Sequence, residues 1–83
     1  MPKLPRAKAS EVIRTLERLG FVQIRQKGSH IVMKKRVFRK TDPPEETEIG
    51  CVVPLHQKTL AVGTLKSILK QAGVTVEEFI ENL

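Results

Sequence analysis

Phe21-Val22-Gln23-Ile24-Arg25-Gln26-Lys27-Gly28-Ser29-His30-Ile31-Val32-Met33-Lys34-Lys35-Arg36-Val37-Phe38 (residues 21–38, FVQIRQKGSHIVMKKRVF) consists of two alternating runs separated by a glycine. Val22 and Ile24 alternate with Gln23 and Arg25, the period of two expected of a strand over residues 21–26. Ile31 and Met33 then stand opposite His30, Val32 and Lys34 in a second strand over residues 29–38. Lys27-Gly28 reads as the turn between them, because glycine takes a positive φ at little steric cost. The stretch is therefore a β-hairpin with His30 near its tight end.

On the N-terminal side the period changes. Ala9, Val12, Ile13, Leu16 and Leu19 recur at helical spacing, with Glu11, Arg14, Glu17 and Arg18 on the other face. This predicts an amphipathic helix that stops at Gly20. Pro2 and Pro5 keep residues 1–8 extended, as a flexible tail. On the C-terminal side, Arg39–Glu48 (RKTDPPEETE) has no period and contains a Pro-Pro pair, which predicts a mobile loop over residues 39–48. Ile49, Cys51 and Val53 mark a third strand, ended by Pro54. From Leu60 the helical period returns, with Leu65, Ile68, Leu69 and Ala72 as its apolar stripe, Thr64 as a candidate cap and Gly73 as its stop. Thr75-Val76-Glu77-Glu78 is a capping box that opens a short last helix at residues 76–82. The order is α-β-β-β-α plus a terminal helix, an α+β domain with two helices on one face of an antiparallel three-stranded sheet.

Composition narrows the function classes. Eighty-three residues make one small domain, spanning 1–83, and 40% hydrophobic with 29% charged residues is the balance of a folded chain. No apolar run approaches the ~18 residues that cross a bilayer, and MPKLPRAK lacks the apolar core of a secretory signal. One cysteine excludes an internal disulfide, and two histidines disfavour a closed zinc site. A cytoplasmic protein with no membrane association, no metal and no cofactor is expected. Lysine and arginine exceed aspartate and glutamate to give +6, unevenly. Residues 1–40 carry twelve basic side chains against Glu11 and Glu17, whereas residues 41–83 balance at −4. A polyanion is drawn to the first half.

Histidine suits proton transfer near neutral pH, and both histidines sit in distinctive settings. His30 follows Arg25-Gln26-Lys27-Gly28-Ser29, among cations and beside a turn. His56 follows Val53-Pro54-Leu55. Cleaving RNA without a metal requires removing the 2′-OH proton, holding the phosphate charge and protonating the departing 5′ oxygen. A histidine flanked by lysine and arginine supplies one proton transfer while its neighbours hold the phosphate. The bland alternative is a hydrogen-bonded surface histidine on a solvated face. With no tyrosine or tryptophan and three phenylalanines, a broad base-stacking platform is not expected. Cys51, alternating with Ile49 and Val53, reads as a small buried residue rather than a nucleophile.

Gly20-Phe21, Arg25-Gln26-Lys27-Gly28-Ser29-His30, Val53-Pro54-Leu55-His56, Gly63-Thr64-Leu65, Ile68-Leu69 and Gly73 together resemble the HicA toxins, the YcfA-type RNA-cleaving partners of HicB antitoxins. The resemblance spans roughly residues 8–80. It implies a double-stranded-RNA-binding-like fold, a metal-independent mRNA interferase activity, His30 as the catalytic residue and a HicB-like antitoxin that covers this site. Arg25, Lys27, Gly28 and Ser29 become the candidate RNA-binding residues, and His56 a supporting one. A monomer is expected when the antitoxin is absent. Two departures stand out: Lys8-Ala9-Ser10-Glu11 replaces the usual helix opening, and the 39–48 segment is long and acidic. A non-catalytic RNA-binding or partner-binding module on the same fold is the competing expectation.

Overall fold

The computed structural model describes residues 4–55 and 59–83. Strand β1 (Ala7–Lys8) leads into helix α1 (Ala9–Arg18), followed by strands β2 (Val22–Lys27), β3 (His30–Arg39) and β4 (Glu45–Pro54). Strand β5 (Thr59–Leu60) and helices α2 (Val62–Ala72) and α3 (Val76–Asn82) complete the chain. Strands β2-β3-β4 form an antiparallel sheet in that order, and β1 pairs with β5 as a separate small ribbon. This is the expected α-β-β-β-α arrangement with its terminal helix, consistent with a double-stranded-RNA-binding-like fold.

Strand alternation and helical stripes meet in one core. Ile31 and Met33 on β3 and Cys51 and Val53 on β4 are buried with Val12, Leu16, Leu65, Ile68, Leu69 and Phe79 from the helices. Burial raises the Cys51 thiol to about 11, so it stays protonated and inert near neutral pH. Local signals end the helices as expected. Gly73 closes α2 at φ 68°, with the Val74 N–H donating to the Leu69 carbonyl. At α3, the Glu78 N–H donates to Thr75 Oγ1 and the Thr75 N–H to Glu78 Oε1, both halves of the capping box. Helix α1 has only one half: the Lys8 N–H donates to Glu11 Oε1 at 3.0 Å, and lysine has no acceptor with which to return the bond.

Four expectations require correction. The hairpin turn is Gly28-Ser29 rather than Lys27-Gly28, since Lys27 pairs with His30. Residues 39–48 are not one loop: β3 runs to Arg39 and β4 begins at Glu45, leaving residues 40–44 as the connection. Arg36 faces Glu48 and Arg39 faces Glu45, so opposite charges across the ladder favour an extended ribbon despite the absent apolar period. The end of the 1–8 tail is held as strand β1, because Ala7 is buried and its backbone pairs with Leu60. Helix α2 starts at Val62 with Ala61 as its cap, so Thr64 lies inside the first turn and does not cap.

Candidate nucleic-acid interface

Residues paired across an antiparallel ladder project from the same face. Ile31 and Met33 point to the helices, so His30, Val32, Lys34, Arg36 and Phe38 share the opposite, open face of the sheet. On β2, Lys27 pairs with His30 and Arg25 with Val32, which brings both cations onto that face. On β4, Pro54 lies across from His30 and Val52 across from Val32.

A bulge makes this possible. The register slips between Gln23 and Arg25, so Ile24 has no counterpart of its own on β3. Strict alternation would leave Gln23 and Arg25 on one face. The extra residue separates them, sending Gln23 to the side of Met33 and Arg25 to the side of Val32. Val22 and Ile24 are 60% and 53% exposed. With Gly20, Lys34, Arg36 and Glu48 they line a shallow hollow of about 420 Å³ on the open face.

The turn that precedes His30 is tied at both ends. Gly28 has φ +60°, where a side chain would be strained, and its carbonyl accepts from Gln26 Nε2 at 3.0 Å. The Ser29 carbonyl accepts from the Leu55 N–H, which fastens the chain after β4 to the turn. His30 is exposed at the first position of β3, immediately after this turn. The structure thus brings together four of the sequence-derived residues with His30: Lys27 across the ladder, Arg25 one pair further along the same face, and Gly28 and Ser29 in the turn. His56 lies outside the described residues.

Two kinds of charge occupy the open face. Lys34 Nζ lies 3.6 Å from Glu48 Oε2, and Arg36 Nη1 lies 3.5 Å from Glu46 Oε1. Arg25 and Lys27 form no ion pair among the described residues, so the His30 end carries uncompensated positive charge. Such a surface holds an anion beside an imidazole, the pair of functions that a phosphodiester requires. Among the described residues, no cluster of three His, Cys, Asp or Glu could hold a metal ion, and no helix is long and apolar enough to cross a membrane.

Reading the sequence put Lys34 on the face of His30 but did not extend that face to Arg36, Val22, Ile24 or Phe38. The signal for Phe38 was present: it lies in a charged stretch, with no apolar period to bury it.

Residues 9–74, most of the chain, match the family model described as HicA toxin of bacterial toxin-antitoxin. No curated protein matches the chain.

Proposed function

The chain belongs to the HicA toxin family of bacterial toxin–antitoxin systems, and from that premise we propose that it is an endoribonuclease toxin, an mRNA interferase that cleaves RNA without a metal ion. The observation that carries the reading is the open face itself: an exposed histidine with Lys27 directly across the ladder and Arg25 one pair away.

In the proposed reaction, Arg25 and Lys27 grip the scissile phosphate and balance charge that grows on its oxygens. The ribose 2′ oxygen attacks phosphorus as its proton leaves, and the bond from phosphorus to the 5′ oxygen breaks. The products are a 2′,3′-cyclic phosphate and a 5′-hydroxyl end. His30 carries one proton transfer, as base toward the 2′-OH or as acid toward the departing 5′ oxygen. The turn supports this role by construction: Gly28 permits the sharp reversal, and Ser29 is held through its carbonyl by Leu55. His56 is assigned a supporting role.

A HicB-like antitoxin in the same cytoplasm neutralises the toxin by covering His30. The more acidic character expected of such a partner suits the positive end of the face. Incubating the purified protein with labelled RNA in excess EDTA tests the activity. Cleavage to cyclic-phosphate ends, lost in His30→Ala, is the expected result. A salt-sensitive mobility shift with the RNA left intact would instead identify a binding module.

A further inference from the structure

Strand β3 is the middle strand of its sheet, and its two neighbours give His30 unlike surroundings on the open face. On the β2 side stand Lys27, directly across from His30, and Arg25, across from Val32. On the β4 side stand Pro54, directly across from His30, and Val52, across from Val32. Val52 is 39% exposed and Val32 and Pro54 are half-buried, so the three form a low apolar shelf beside the imidazole. The core does not use this shelf, since Ile31 and Val53 on the other face are the residues buried against the helices. Further along the open face the cations are compensated, Lys34 by Glu48 and Arg36 by Glu46. Cations without an ion pair among the described residues therefore meet an apolar shelf at the His30 end.

Neighbouring strands lie ~4.8 Å apart, so the β2 cations and the β4 shelf are set about 10 Å from each other with His30 between them. A nucleotide is built in the same order: an anionic phosphate, a ribose, and a flat base whose faces are apolar.

We propose that Val32, Val52 and Pro54 seat the base of the nucleotide whose 2′-OH attacks, with its 3′-phosphate on Arg25 and Lys27 and its ribose beside His30. This rests on the RNA-cleaving reading above and adds to it a base-binding subsite. The base of that nucleotide and its 2′ oxygen sit on adjacent carbons of one rigid ring, so seating the base fixes the nucleophile. On the leaving side the base reaches the scissile oxygen only through the rotatable 5′ carbon, and seating it would fix nothing. Orientation of this kind lowers the barrier of the step it serves. Apolar contact is non-directional, so the shelf accepts a base without demanding a sequence.

The test pairs a change in the protein with a change in the substrate. Parent and Val52→Asn are given a short RNA with one cleavable linkage, either intact or lacking the base 5′ to that linkage while keeping its ribose. On the intact RNA, Val52→Asn is expected to lower kcat/KM by roughly 5- to 30-fold. Removing the base is expected to cost the parent a similar factor. The two losses should not add, so Val52→Asn should cleave the abasic RNA within about twofold of the parent. Val52→Ile, which keeps the apolar surface, is expected to retain the parent's preference for the intact RNA.

A merely structural or electrostatic role for Val52 predicts equal losses on both RNAs, and that result overturns the proposal. Equal cleavage of the intact RNA by Val52→Asn and the parent also overturns it, whether or not the variant escapes an antitoxin. A coupling seen only when the base on the 3′ side is removed overturns the assignment to the attacking nucleotide. If Val52→Asn unfolds, Val52→Thr, which keeps the branched shape but adds a hydroxyl, answers the same comparison. If the parent cleaves neither RNA, the underlying activity fails and the subsite falls with it.

Discussion

The two faces of strand β3 obey different rules. On one, Ile31 and Met33 are 6% and 0% exposed against the helices. On the other, His30, Lys34, Arg36 and Phe38 stand in solvent. Neighbouring residues on a single strand thus serve separate ends, one face holding the domain together and the other left open to solvent. Because the strand period is two, a substitution reports on one face with little disturbance of the other.

That separation can be broken by experiment. His30→Ala should reduce RNA cleavage by about 10²–10⁴-fold while the melting temperature stays near that of the parent. A variant that unfolds would show that His30 belongs to the fold, and the division of labour would collapse. Met33→Ala should do the converse, losing about 2–5 kcal/mol in denaturant unfolding because its side chain leaves a cavity against the helices. Cleavage per folded molecule should persist.

Smaller effects sharpen the picture. Lys27→Ala should weaken RNA binding and reduce the slope of log affinity against log salt by about one, the signature of a single lost phosphate contact. On the covered face, the folded state keeps Cys51 protonated up to about 11, whereas an unburied thiol ionises near 9.0. The folded chain therefore holds more protons between these values. This contribution to stability is complete below pH 9 and declines as pH rises toward 11. Cys51→Ala should flatten that decline by something on the order of 1–2 kcal/mol in pH-dependent unfolding. Smallest of all, a double-mutant cycle on Arg36 and Glu46 should give a coupling between about 0 and 1 kcal/mol, as an exposed pair at 3.5 Å does.

Much of this was legible in the chain before its coordinates. The apolar spacing from Ala9 to Leu16 and from Leu65 to Ala72 marked both long helices, and Thr75 with Glu78 marked the third. Each of these signals lies within a few residues of the structure it specifies, so local geometry is enough to read it. His30 was singled out from its cationic neighbours and the glycine turn, and Arg25 and Lys27 from the same run. Phe38 went unrecognised although its alternation with Ile31 and Met33 puts it on the face of His30, because only the assembled fold shows that the helices cover the other face alone.

The amino-acid sequence alone determined the order of the three helices and of strands β2, β3 and β4, the helix ends marked by Gly73 and by Thr75 with Glu78, and the alternation that buries Ile31 and Met33. Tertiary structure decided which cations join His30. The bulge at Ile24 moves Arg25 to the open face, and a bulge exists only in relation to the register of its partner strand. The same holds for the ribbon beyond residue 35 and for the β1–β5 pair. Neither pairing is marked by an apolar period in its own segments, so only the closed ladder reveals where each strand ends.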